Sequence, residues 1–485
     1  MNLQEFRKLQ DRRAFLQRCA MGFGSTVLAH LLASEGLTAG SAARAGALDP
    51  LAPKAPQFPA TAKRVIFLYM TGGPSQIDLF DPKPALHKWH GQQVPESMKE
   101  GLKLAFLKPS ATLMASPRKF QSYGECGTEF SDYLPHTASH ADDICLVRSL
   151  QTDAINHDPG ELMMTTGSTI LGRPTIGSWV SYGLGSESAD LPAYVVLNSG
   201  KMPSAGANNW GSGFLPSLYQ GTPFRSSGDP ILYLSNPPSV NQKIQRVQLD
   251  AIRQLNEKRY EEKGDQEIAS RIAAYELAFR MQMSAPELLD FSQEPKSLLE
   301  SYGINREGER AKSYATNCLL ARRLIERGVR FVSLIHANWD FHYEIEKRLG
   351  EYCHDTDQPT AALLQDLKQR GLLDDTLVLW GGEFGRTPMG EPEVHETGQP
   401  GRDHQASCFS MWLAGGGIQG GQVVGRSDEL GLNPVEDPIH VHDLQATLLH
   451  TLGLNHTDLT YRHMGRDFRL TDVGGKVVKR LLRSA

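Results

Sequence analysis

The chain is poor in cysteine. Six cysteines in 485 residues, with no Cys-x-x-Cys pair, rule out the dense disulfide framework of small secreted domains. Long apolar runs are also missing. Near the N-terminus the longest stretch free of Asp, Glu, Lys and Arg is Cys19–Ser34, 16 residues that include Gly, Ser, Thr and His30. It is too short and too polar to span a bilayer stably. Excess positive charge is absent: 50 Lys and Arg against 55 Asp and Glu leave −5. This argues against a nucleic-acid binder that relies on counterion release. No helix-turn-helix, zinc-finger or basic-stripe pattern and no internal repeat is present. What remains is an ordinary globular composition, 40% hydrophobic and 22% charged, which excludes disorder and collagen.

The N-terminus predicts an address rather than fold. Asp11-Arg12-Arg13-Ala14-Phe15-Leu16 is a twin arginine closely followed by large apolar residues. A mildly hydrophobic stretch, Cys19–Leu37, leads into small residues ending near Ala43-Arg44-Ala45. This is the layout of a twin-arginine export signal over residues 1–45, and it implies a periplasmic or extracellular protein. Residues 46–62 read as a Pro/Ala-rich linker. The five cysteines beyond the leader leave room for one disulfide, whose partners spacing does not name.

Apolar runs at Val65–Met70, Ile144–Val147, Tyr194–Leu197, Phe331–Ile335, Thr376–Trp380 and Phe409–Leu413 read as strands. Helical periodicity appears at 161–166, from Gln242 (Ile244, Val247, Ala251, Ile252, Leu255), over 266–283, 311–327 and 360–370, and at 441–452. Residues 200–240 are rich in Gly, Ser, Pro and Asn without period, as in a segment that lids or lines a site. Strands alternating with helices predict an α/β fold with a mostly parallel central sheet sandwiched by helices, and an antiparallel strand near 407–414. One domain over 63–475 accommodates this, with an irregular insertion near 200–240, a helical one near 242–327 and a basic tail at 476–485.

Three of the strand candidates end in polar clusters: Thr71-Gly72-Gly73-Pro74-Ser75-Gln76-Ile77-Asp78, then His336 through Asn338-Trp339-Asp340-Phe341-His342, then Gly382-Glu383-Phe384-Gly385-Arg386-Thr387-Pro388. Sites in open α/β sheets form beyond the carboxyl ends of the strands. With His157 at a helix start and His404 before the 409–413 strand, they give Asp78, His157, Asp340, His342, Glu383 and His404. Three carboxylates and three imidazoles suit one or two divalent metals, zinc, manganese or iron, and less readily calcium. Each has a plainer alternative: Asp78 as a helix cap, Asp340 and His342 on a surface loop, Glu383 as packing between glycines, and His157 as structural beside Asp158.

These motifs, with Phe80-Asp81-Pro82-Lys83-Pro84 and Gly401-Arg402-Asp403-His404, resemble those of the domain-of-unknown-function 1501 family, in the alkaline phosphatase and sulfatase superfamily. The resemblance covers about residues 60–475. It implies metals at the strand ends, with Asp78 on one ion and Asp340 and His342 on the other, Glu383 as an acidic ligand and His404 as the last histidine ligand. One position departs. Ten residues before Gly167, where a sulfatase-like nucleophile is expected, stands His157, and four positions on Glu161 replaces the basic residue expected there. His157 is then either a nucleophile or a metal ligand, and Arg386 is the candidate for binding the substrate anion. The expected activity is an exported metal-dependent hydrolase of sulfate or phosphate esters, on small molecules or polysaccharides. The alternative is a non-catalytic protein that binds a metal and an anion such as a sulfated polysaccharide.

Overall fold

A computed structural model describes residues 49–95, 97, 111–225, 231, 235–237, 239–390 and 398–483. The export signal lies outside the described residues, as do 46–48 of the linker and the last two residues of the basic tail.

Eleven strands matter for the site: β1 (Arg64–Tyr69), β2 (Ile144–Gln151), β3 (Tyr194–Ser199), β4 (Thr222–Phe224), β5 (Phe331–His336), β6 (Thr376–Gly381), β7 (Gly385–Gly390), β8 (Arg402–Gln405), β9 (Phe409–Ala414), β10 (Gln422–Val424) and β11 (Ile439–His440). All but β7 and β8 join one nine-stranded sheet in the order β10-β2-β9-β6-β1-β5-β3-β4, with β11 also beside β2. Every pairing in it is parallel except those of β9, which runs antiparallel to both β2 and β6. The mostly parallel sheet and its antiparallel strand agree with the sequence pattern.

The principal helices are α1 (Gln76–Leu79), α2 (His157–Thr166), α3 (Ile176–Leu184), α4 (Gln242–Lys263), α5 (Gln266–Leu289), α6 (Glu309–Glu326), α7 (Ile345–Gln369) and α8 (Val441–Thr451). Strand side chains alternate between two faces. On β1, Ile66 and Leu68 enter one core with Leu319 and Leu320 of α6 and Leu363 and Leu367 of α7. Val65, Phe67 and Tyr69 enter the other, with Met163 of α2, Val180 of α3 and Leu448 of α8. Covering on both faces explains why these strands read as continuous apolar runs.

Three expectations need correction. The helix expected from 161 begins at His157 itself, with Asn156 as N-cap. Pro159 stands in its first turn, where a missing N–H costs little. The helix expected at 360–370 starts at Ile345 and carries Pro359 inside it; the proline masked its first half. The segment taken as irregular, 200–240, contributes the edge strand β4. The five described cysteines are all unpaired, four of them buried.

Leu334 on β5 is fully buried. Leu334→Ala should lower unfolding free energy by about 2–5 kcal/mol through lost transfer energy plus a cavity. Urea titration checks this; a change inside experimental error would mean that this core is not close-packed.

Candidate metal centre

The site lies where the chain leaves β1, β5 and β6 and where α2 begins. Backbone packing brings these loops together. Gly72 has φ +111°, and a Cβ there would come within 2.5 Å of the Trp339 nitrogen and 2.7 Å of the Asp340 nitrogen. Only glycine fits this approach. Gly401 passes the His342 backbone equally closely, a Cβ there falling 2.1 Å from the His342 carbonyl carbon. β7 and β8 form a separate antiparallel ribbon in which His404 stands opposite Arg386.

Four side chains converge. One ligand atom from each of His157, Asp340, His342 and His404 lies within 4.8 Å of all the others. Asp340 Oδ1 is the hub: His342 Nε2 lies 2.8 Å away, and His157 Nε2 and His404 Nε2 both 3.2 Å. His342 Nε2 and His404 Nε2 are 3.0 Å apart. The Phe384 ring packs beside both His157 and His404, 5.1 and 4.6 Å between centroids.

The partners of the far nitrogens fix the near ones. A carbonyl only accepts, so His404 Nδ1 donates to Ile155 O at 2.7 Å. His157 Nδ1 meets Glu383 Oε1 at 2.7 Å. In neutral rings both protons are thereby on Nδ1, and both Nε2 lone pairs point at an anionic oxygen. His157 Nε2 is buried, and the group it meets is Asp340 Oδ1, at 3.2 Å. Lone pairs facing a carboxylate repel unless a cation stands among them. The donor set, three imidazoles and one carboxylate, fits zinc, manganese or iron. Without metal, a proton answers the same need. Burial opposes charge on His157, but hydrogen bonds to Asp340 and Glu383 outweigh it and push the imidazole up to about 9. Burial would raise Asp340, yet the three imidazoles and Arg386 hold it far below the ordinary carboxylate range.

The remaining expected residues are placed differently. Glu383 is fully buried; besides His157 it accepts the Gly72 N–H at 2.9 and 3.1 Å. It holds the ring rather than joining the four-atom cluster, as outer carboxylates do beside metal-bound histidines. Asp78, on α1, is outside the cluster too. It forms a bidentate pair with Arg402, at 2.8 and 3.1 Å, and accepts from Ser75 Oγ at 2.5 Å. Burial works against its charge, but Arg402 holds its pKa below the usual value. Arg386, the expected anion binder, is occupied. Its guanidinium donates to the carbonyls of Gly72, Gly73 (2.9 Å) and Arg402 (3.0 Å) and to Asp340 Oδ1 (2.6 Å). Arg402 and the Ile155 carbonyl were missed from sequence. Arg402 sits in the quoted Gly-Arg-Asp-His string, whereas a backbone acceptor leaves no sequence signal.

The fold and the site together define an α/β protein with a candidate His3Asp metal site at its strand ends. The chain belongs to the family described as a protein of unknown function (DUF1501), whose model matches residues 62–482. No curated protein matches it. Among solved structures it is similar to the lipoteichoic acid synthase LtaP from Listeria monocytogenes, at 10% identity over 86% of this chain and 79% of that one, TM-score 0.36. Ps i-CgsB aligns at 10% identity over 81% and 72%, TM-score 0.37. The alkaline phosphatase from the Antarctic bacterium TAB5 aligns at 12% identity over 82% and 99%, TM-score 0.34. Likeness this distant carries no functional argument; function resides in the site. No helix among the described residues is long and apolar enough to cross a membrane.

Two outcomes are expected. Glu383→Gln, which leaves an amide against His157, should weaken zinc or manganese binding about 10–100-fold, read by competition with a chromophoric chelator; unchanged affinity would remove its orienting role. The metal-free protein should lose stability as pH rises. A His raised from 6.5 to about 9 contributes fully below 6.5 and nothing above its folded value. The metal-free melting temperature should fall between pH 6.5 and 9, and His157→Gln should flatten that slope.

Proposed function

We propose that the chain is an exported, metal-dependent hydrolase of sulfate or phosphate esters carried on small molecules or polysaccharides. The observation that supports it is the convergence of three imidazole nitrogens on Asp340 Oδ1, two of them with lone pairs set by Glu383 and Ile155. His157, Asp340, His342 and His404 would hold one divalent ion. A bound ion supplies Lewis-acid activation of water and of the ester. A second ion would need Asp78, which Arg402 neutralises.

The chain's own residues do the rest. Glu383 fixes the ring of His157, and His404 is fixed through Ile155 O. Asp340 balances the charge of the ion and of Arg386. His157 is the first residue of α2, whose N-cap Asn156 makes no side-chain capping bond. The positive end of this helix therefore faces the site and favours an anionic substrate. With Arg386 committed to carbonyls, that helix end and the ion are the anion-binding elements. His157 serves as ligand rather than nucleophile, because Nε2 belongs to the cluster while Nδ1 is engaged. Residues 204–209 would wall the substrate pocket, since Glu161 of α2 holds them. The twin arginine at Arg12-Arg13 suits export after folding, with metal aboard.

One observation favours the non-catalytic alternative: the position expected for a nucleophile carries an imidazole already held by Glu383 and Asp340. Metal analysis of the purified protein and turnover of aryl sulfate and aryl phosphate decide. One equivalent of metal and a turnover abolished by Asp340→Asn and by His404→Ala support the hydrolase. Bound metal with no turnover on a broad ester panel supports the binder, and absence of any metal overturns both.

A further inference from the structure

Helix α4 buries none of its 22 residues, and orientation is the reason. The face it turns to α5 is polar. Arg246 pairs with both carboxylate oxygens of Glu276, at 2.8 and 2.6 Å, and lies 5.0 Å over the Phe279 ring. Arg253 approaches the same carboxylate at 3.9 Å. On the helical wheel Ile244, Val247, Ala251 and Leu255 lie opposite that face, with Ile252 at their edge. Ile244, Val247, Ile252 and Leu255 are 37%, 41%, 39% and 62% exposed. Met283 of α5, 63% exposed, extends the patch beside Gln242, whose side chain reaches its sulfur at 2.9 Å. A helix that spends its ion pairs inward and turns its apolar stripe outward presents half of an interface.

The stripe is self-complementary. Reversal about the midpoint between Leu249 and Asp250 exchanges Ile244 with Leu255, Val247 with Ile252 and Gln248 with Ala251. A two-fold axis through that point sets Ile244 level with Leu255 and Val247 level with Ile252 of a second, antiparallel α4. The four-three-four spacing of Ile244, Gln248, Ala251 and Leu255 is that of a coiled-coil seam. Small Ala251 leaves room for Gln248 of the other copy. Residues 1–48 enter the described fold at Asp49, beside Arg253, Glu257 and Glu276 around a cavity of about 200 Å³. The segment before Asp49 is the competing occupant, and its reading as an export leader takes residues 1–45 out of the mature chain.

We propose that α4 docks a second copy of this chain, antiparallel and isologous, so that two α4–α5 hairpins pack as a four-helix layer. Size exclusion with light scattering on the mature chain, from Gly46 onward, should give twice the mass of one such chain. Leu255→Asp should return it to the single-chain mass with circular dichroism and metal content unchanged. In a Cys126→Ser background, the paired substitutions Gln248→Cys and Ala251→Cys should give a covalent dimer on mild oxidation. A single-chain mass for the unmodified protein overturns the proposal, as does a dimer that survives Leu255→Asp and fails to cross-link. A monomer whose α4 amides resist hydrogen exchange overturns it as well, since another segment of the same chain then covers the stripe.

Discussion

One oxygen atom organises this molecule. Asp340 Oδ1 sits within 3.2 Å of three imidazole nitrogens and 2.6 Å from Arg386 Nη2. So dense a set of donors around a single carboxylate oxygen holds together only if positive charge is shared among them. A proton on His157 or a divalent ion in the cluster meets that demand, and the two compete. The surrounding structure serves to bring these groups to one place. Gly72 admits the Trp339–Asp340 backbone, Gly401 admits that of His342, and Glu383 turns the His157 ring. The parallel sheet supplies the framework, since β1, β5 and β6 are neighbours and deliver their loops at the same edge.

Beneath the cluster lies a layer of buried charge spent on architecture. Loops at strand ends turn carbonyls inward, and buried carbonyls need donors. Arg386, 1% exposed, supplies them to Gly72, Gly73 and Arg402 at once. Arg402, fully buried, donates to Met114 O and Thr387 O while it pairs with Asp78. Buried pairs of this kind add little net stability, because desolvation offsets attraction, but removal of one partner leaves a stranded charge. They specify geometry instead. That is why Asp78 and Arg386, conspicuous by chemistry, hold the loops together while the partly exposed Asp340 and His342 reach the cluster.

The strands were legible because burial on both faces writes itself as unbroken apolar runs, as at Val65–Met70 and Phe331–Ile335. The cluster was legible in outline: His157, Asp340, His342 and His404 lie 247 residues apart at the extremes, yet each stands beside an element that periodicity could place. What escaped was partnership. Nothing in a string of letters says that Asp78 meets Arg402 across 324 residues, or that Arg386 faces carbonyls. The ribbon of β7 and β8 escaped for another reason. Gly385–Gly390 carries glycine and proline without alternation, and is buried throughout, so no period marks it. Helix α4 shows the opposite failure. Its period was read correctly, but period alone does not say whether the apolar face points at the core or away from it.

The exchange of residues on α2 bears on chemistry as a whole. At its start this helix carries His157 and, one turn on, Glu161. Residues four apart share a helix face. Glu161, 1% exposed, accepts the N–H groups of Ser204 and Ala205 and the amide of Asn209, at 3.1, 2.8 and 2.8 Å. Burial, with the charge of Glu383, pushes it up to about 7. The turn that presents an imidazole to the cluster at one end thus grips the 204–209 segment at the other. A helical turn is stiff, so displacement of that segment is felt at His157, and from there at Glu383 and Asp340.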